Sequence, residues 1–194
     1  MSKQIAILLP YKEQYTRDHA GAASIWVKDY IKKSKFKDIT SIYGNLDRKF
    51  KPFTKNFKSL DLGRIIKKNI SYTENLYKEF LKYNFRIIEI HNRPESLLHL
   101  LKKKIKTKYI FVFHNNPLDL RGSSSVKERI YIAENTDQIY FVSKWVMNKF
   151  FDGLPYKYRN NCDILYPAIK PLKQFPKKKN IIIFSGKLNS SKGY

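Results

Sequence analysis

The sequence is poor in cysteine and has no long apolar run. Cys162 is its single cysteine, which excludes an internal disulfide, and no histidine or cysteine cluster has the spacing of a metal site. Both features favour a reducing compartment, and we expect the cytoplasm. The first apolar run, residues 5–9, is too short for a signal peptide, and no stretch of about eighteen apolar residues occurs. The sequence therefore predicts no membrane-spanning segment.

Acidic residues are also scarce. There are 16 Asp and Glu against 39 Lys and Arg, for a net charge of +23. A codon usage that favours lysine explains such an excess, and so does an anionic partner. Such a partner is nucleic acid, an anionic membrane surface or a phosphorylated substrate. The apolar fraction of 42% is that of a packed globule, and 194 residues suffice for one domain of ordinary size.

Apolar runs alternate with segments of helical periodicity along the chain. The runs are continuously apolar, as is typical of buried parallel strands, and the order strand then helix predicts an α/β fold. Ser125 and Glu128 have the spacing of a capping box, and Ser143 is placed to cap the next helix. We predict strands at 5–9, 39–43, 86–90, 109–113, 138–142, 163–166 and 181–184, and helices around 23–31, 76–81, 97–105, 126–133 and 146–150.

The stretch 44–63, "GNLDRKFKPFTKNFKSLDLG", has no clean period. We interpret it as a long basic and aromatic loop that leaves the sheet. Aromatic and basic residues alternate within 48–58, a pattern that suits stacking of nucleic-acid bases or attachment to an anionic membrane. A merely solvated loop has the same composition, and the sequence leaves these alternatives open.

Polar residues follow the predicted strands. An open parallel sheet binds ligands at the carboxyl ends of its strands, which draws attention to His91, His114 and the polar segments after them. Gly21 would let a phosphate approach the backbone at a helix N-terminus, although small residues also serve plain helix packing. No Asp-x-Asp pair, hydrolase elbow or P-loop motif is present.

Six segments, in this order, resemble the N-terminal half of a retaining GT-B glycosyltransferase of family four. They are "HAGAAS", "IIEIHNRPE", "YIFVFHNNP", "DQIYFVSKWVMNKF", "ILYPAI" and "IIIFSGKLNSSKGY". The resemblance implies an open, mostly parallel Rossmann-like sheet with helices on both faces, half of a GT-B fold. It places an acceptor-side domain at 1–170, a linker at 171–180 and the start of a truncated nucleotide-sugar-binding domain at 181–194.

The resemblance also implies a site. His114 is the expected catalytic residue, which positions the transferred sugar. Gly21, Lys187 and Lys192 are expected to bind the donor, although the family usually has Arg at the first of these lysines. The leaving phosphate is expected to take the acceptor's proton, and neither a metal nor a cofactor is expected. Expected acceptor-binding residues are His91, Arg93, Asn115, Asn116 and Arg121.

The resemblance thus implies a glycosyltransferase of hexosyltransferase type that uses a nucleotide sugar with retention. "HNRP", "HNNP" and "LRGSSS" most resemble enzymes that extend cell-surface polysaccharide, lipopolysaccharide or lipid-linked acceptors, and such an enzyme would work in the cytoplasm or peripherally on the inner membrane face. Alone the chain is expected to be inactive, because the missing C-terminal domain or a complementing chain must supply half the site. The alternatives are a basic nucleic-acid-binding domain and a non-catalytic partner subunit of a two-chain transferase.

Overall fold

The computed structural model describes residues 3–60 and 68–168, together with positions 177 and 180. Within them, seven strands form one sheet in the order β3-β2-β1-β4-β5-β6-β7, and every pairing is parallel. The predicted strand at 181–184, the predicted second domain at 181–194 and nearly all of the predicted linker lie outside the described residues. The strands are β1 (Ile5–Leu8), β2 (Thr40–Gly44), β3 (Phe57–Ser59), β4 (Ile87–His91), β5 (Lys108–Phe113), β6 (Gln138–Phe141) and β7 (Cys162–Ile164).

Helices connect the strands where the periodicity predicts them, and two begin at the predicted caps. The Ser125 hydroxyl accepts from the Glu128 N–H while the Glu128 carboxylate accepts from the Ser125 N–H, which completes the capping box. The Ser143 hydroxyl accepts from the Val146 N–H. The helices are α1 (Ala22–Ile31), α2 (Lys68–Tyr83), α3 (Pro94–Leu101), α4 (Val126–Asn135) and α5 (Lys144–Phe150).

The two faces of the sheet are covered unequally. Helices α2 to α5 pack on one face and bury the larger apolar core, whereas α1 packs on the other face over β1 and β2. Right-handed crossovers explain this division, since the chain runs outward from β1 to β2 and then, from β4 onward, in the opposite direction along the sheet. The result is an open parallel sheet with helices on both faces, which confirms the predicted fold class.

The prediction of a loop throughout 44–63 is wrong in its second half. Phe57–Ser59 forms the edge strand β3, which pairs with β2. The rings of Phe53 and Phe57 lie 5.2 and 5.0 Å from that of Tyr15, centroid to centroid, and pack into the smaller core. A three-residue strand is too short to show a period of two, which is why the sequence pattern conceals it.

Candidate functional site

Two histidines meet at the carboxyl ends of neighbouring strands. His91 is the last residue of β4, and His114 directly follows β5. The two strands pair in parallel, so their carboxyl ends lie at the same edge of the sheet. His91 Nδ1 lies 2.9 Å from His114 Nε2, which is hydrogen-bond distance. The structure therefore brings these predicted site residues together.

Asn92 joins the loops that carry the two histidines. Its φ of 52° lies in the left-handed region, which asparagine tolerates better than most residues. Its N–H donates to the Val112 carbonyl, and its side-chain oxygen accepts from the backbone N–H groups of His114 and Asn115, each at 3.2 Å. Asn92 therefore holds the turn after β5 against the end of β4, a role that the sequence analysis missed.

A carboxylate and a phenol extend the histidine pair. His91 Nε2 lies 2.7 Å from Glu89 Oε1, and the Tyr30 hydroxyl of α1 donates to the same oxygen. The His91 side chain is fully buried. Burial, and secondarily the neighbouring His91, lower the pKa of His114 to about 3, so His114 is neutral at physiological pH. We call Tyr30, Glu89, His91 and His114 the histidine network.

Trp26 of α1 packs against the histidine network. Its ring meets those of His91 and His114 edge to face, with centroids 5.4 and 5.2 Å away, and it meets Tyr30 in the same way. Such contacts contribute about 0.5–1.5 kcal/mol per pair between aromatic rings. Helix α1 therefore supplies both the aromatic wall and the phenol that hold the two histidines in place.

A cavity of about 490 Å³ lies beside the other end of the network. Tyr30 and Glu89 line it, and most of the remaining wall is apolar, including Ile7, Ile87 and Ile110. The Glu89 side chain is 17% exposed, so its carboxylate keeps some contact with water. The cavity therefore gives water access to the carboxylate end of the network.

Gly21 is the N-cap of α1, and the Glu13 carboxyl group lies against it. Glu13 Oε2 accepts from the Ser24 N–H at 3.0 Å, and any larger side chain at position 21 would overlap this carboxyl group. A carboxylate is favoured at a helix N-terminus for the same electrostatic reason as a phosphate. Glu13 therefore fills the position predicted for a donor phosphate, and the role of Gly21 remains a prediction.

The predicted acceptor-binding cations lie beside a small cleft of about 210 Å³. The Arg93 guanidinium lies over the Tyr11 ring, 5.4 Å from its centroid, and its buried Nε has no hydrogen-bond partner among the described residues. Arg121 is 88% exposed in its side chain and approaches Glu95 at 3.4 Å. Lys12 lines the same cleft and was not predicted.

The remaining predicted site residues differ in what the structure shows of them. The Asn116 side chain accepts from the Leu118 N–H and donates to Asp119, so it caps a local 3₁₀ turn. Asn115 is exposed next to His114, whereas Lys187 and Lys192 lie outside the described residues. Residues 3–60 and 68–168 hold no group of three or more His, Cys, Asp or Glu side chains placed to bind a metal ion.

Solved structures share this fold, although no protein-family model and no curated protein matches the chain in sequence. Sucrose-phosphate synthase from Thermosynechococcus elongatus superposes with a TM-score of 0.59 at 11% identity, over 84% of this chain and 48% of that one. Anabaena Alr3699/HepE, solved with UDP and glucose, gives 0.59 at 12% identity, over 87% and 45%. UDP-N-acetylglucosamine 2-epimerase from Rickettsia bellii gives 0.52 at 13%, over 84% and 44%.

The chain therefore has the Rossmann-like fold of one half of a GT-B protein. It spans less than half the length of each of these three structures.

Proposed function

We propose that this chain is the acceptor-side half of a GT-B glycosyltransferase that transfers a sugar from a nucleotide-sugar donor. The observation that carries the proposal is the histidine network, which ends at His114 where β4 and β5 meet. One structure with the same fold, HepE, was solved with UDP-glucose. The network occupies the edge of the sheet where open α/β folds bind ligands.

His114 orients the sugar in this proposal and does not move a proton. A pKa of about 3 makes the neutral imidazole a weak base near pH 7, and general bases work best with a pKa near the working pH. The ring is fixed by His91 and Trp26, so a hydroxyl bound to it would be held in one position. The leaving phosphate is then the group that takes the acceptor's proton.

The donor site needs a second Rossmann-like domain, in the same chain or in a partner subunit. Lys187 and Lys192 would offer point charges to the diphosphate, at the start of that domain. Gly21 would approach the diphosphate once the Glu13 carboxylate has moved aside. We propose transfer with retention, by a hexosyltransferase without a metal, since amides and cations suffice to stabilise the leaving diphosphate.

For the acceptor we propose a lipid-linked or phosphorylated precursor of cell-surface polysaccharide or lipopolysaccharide. Arg93, Arg121 and Lys12 line one cleft and suit an anionic or hydroxyl-rich group, with Asn115 and Asn116 on the loop that leads to Arg121. The buried Arg93 Nε, which has no partner among the described residues, is the donor that such a group would satisfy.

Consumption of nucleotide sugars tests the function. This chain alone should transfer nothing, whereas the chain joined to, or mixed with, its second domain should transfer sugar to a lipid-linked acceptor. His114→Ala should lower turnover roughly a hundredfold, and His19→Gln, an exposed histidine, is the control that should leave turnover unchanged. No transfer by the complete protein from UDP-, GDP- or ADP-sugars would contradict the proposal.

We also propose peripheral attachment to anionic membranes through the segment 48–58, at the inner face of the cell membrane. Each exposed Lys or Arg near such a surface contributes on the order of 1 kcal/mol. Arg48, Lys51 and Lys55 are exposed, whereas Lys58 pairs with Glu79. No helix in the described part of the chain is long and apolar enough to cross a bilayer.

Vesicle flotation tests the attachment. The chain should float with anionic vesicles at low salt and not with neutral ones, and reversing the charge of Arg48, Lys51 and Lys55 together should weaken flotation. Equal binding to both vesicles would contradict the proposal. Nucleic acid is less suited to this segment, because Phe53 and Phe57 pack on Tyr15 and are not free to stack on bases.

A further inference from the structure

The hydrogen bonds of the histidine network determine where its protons lie. A carboxylate can only accept, so Glu89 Oε1 accepts from the Tyr30 hydroxyl and from the Nε2–H of His91. A neutral His91 then has no proton on Nδ1, and this nitrogen becomes an acceptor. The 2.9 Å contact between the histidines therefore requires His114 to donate from its Nε2.

The surroundings favour this set of protonation states. The His91 ring is fully buried, and a ring with one proton satisfies its contacts with both Glu89 and His114. Burial, followed by the charge of Glu89, raises the pKa of Tyr30 well above its usual value, so Tyr30 keeps the proton that it donates. The Glu89 side chain is 17% exposed, so the carboxylate end of the network is in contact with water.

We propose that Tyr30, Glu89 and His91 are positioning residues that hold His114 in the Nε2–H tautomer, so that its Nδ1 meets the ligand as a hydrogen-bond acceptor. No described residue hydrogen-bonds to His114 Nδ1. A group that donates, such as a hydroxyl, fits this nitrogen, and a phosphate or carbonyl oxygen does not. That the hydroxyl belongs to a sugar rests on the proposed function, whereas the proton positions do not.

The test is a long-range ¹H–¹⁵N correlation spectrum of the ¹⁵N-histidine-labelled chain near neutral pH, without ligand. This spectrum distinguishes protonated from unprotonated ring nitrogens. The chain has 4 histidines. The spectra of His19→Gln and His99→Gln identify the signals of those two, and the remaining signals belong to His91 and His114. We expect a proton on Nε2 and none on Nδ1 in both His91 and His114. A proton on His114 Nδ1, or a doubly protonated His91, would overturn the proposal.

Substitutions of Glu89 test the positioning role. Glu89→Met removes the acceptor at similar shape, and both network histidines should lose their single tautomer. Glu89→Gln keeps an accepting oxygen and should restore the wild-type pattern. The matched control is Glu74→Met, because Glu74 Oε2 lies 2.8 Å from His99 Nε2 in a separate pair. It should change the signals of His99 alone.

Unchanged spectra of His91 and His114 in folded Glu89→Met would overturn the positioning role. The wild-type spectrum needs no substitution, so the proposal stays open to refutation even if Glu89→Met fails to fold. Failure of the chain joined to its second domain to bind UDP-glucose would count against the proposed function and leave the proton positions as measured.

Discussion

Two polar networks in the described part of the chain differ in how they end. Arg129 of α4 is 2% exposed, and its guanidinium donates only to main-chain carbonyls. The histidine network is equally well connected at Glu89 and His91, but its last nitrogen, His114 Nδ1, has no partner among the described residues. The carbonyls that accept from Arg129 are those of Ser123, Ser124, Phe150 and Asp152.

The difference separates a structural network from a functional one. Every hydrogen bond of Arg129 joins α4 to the segment before it, to the end of α5 or to the turn after α5, and each guanidinium nitrogen has a partner without a ligand. The histidine network faces the edge of the sheet where ligands bind, and it is complete only when something donates to His114. An acceptor left open at the ligand-binding edge of a sheet is a reason to look for a ligand.

The largest effect that we expect comes from removing the hydrogen bonds of Arg129. Arg129→Met leaves buried carbonyls without donors and should lower the free energy of unfolding by about 3 kcal/mol or more. Urea denaturation measures this loss, with Lys127→Met, an exposed neighbour on α4, as the control within about 0.5 kcal/mol. A loss below about 1 kcal/mol for Arg129→Met would show that Arg129 is not the structural centre inferred here.

A smaller effect should come from pH. The pKa of His114 falls from 6.5 in the unfolded chain to about 3 in the folded one. Below pH 6.5 the unfolded chain therefore binds a proton at His114 that the folded chain does not bind. The free energy of unfolding consequently falls as pH falls. The loss should approach about 1–2 kcal/mol by roughly pH 5, at most about 1.4 kcal/mol per pH unit.

His114→Gln should remove this part of the pH dependence. Urea denaturation of both proteins at several pH values between about 5 and 7 measures the difference. The pKa values of three carboxylates, Glu74, Glu79 and Glu128, are lowered below their usual value of 4.5. These groups therefore titrate outside this pH range, and the pH dependence within it comes from histidine. Parallel curves for the wild type and the variant would contradict the neutral, buried state of His114.

The fold was largely predictable from sequence, because apolar runs and helical periods are local signals. The strand ends at His91 and His114 followed from those runs, and the rule for parallel sheets then placed them together. The edge strand at Phe57 was missed because it is too short for a period. Local patterns cannot supply that strand.

The partners of the two histidines were not predicted. Tyr30 meets Glu89 across 59 residues of sequence, a contact that no local pattern contains. One signal was available, since Glu89 is a charged residue inside the apolar strand "IIEI" and a carboxylate in a buried strand needs a partner. The Glu13 carboxylate at Gly21 had no such signal, because it lies in a polar loop.

Ligand contact at the open end of the histidine network is the central claim, and a titration tests it most directly. The ¹⁵N-histidine-labelled chain, joined to or mixed with its second domain, is titrated with UDP-glucose and, separately, with UDP. We predict a saturable shift of His114 Nδ1 with UDP-glucose that UDP does not produce, because the proposed contact is made by a hydroxyl of the transferred sugar, which UDP lacks. Equal shifts with both ligands, or shifts at His99 and none at His114, would contradict it.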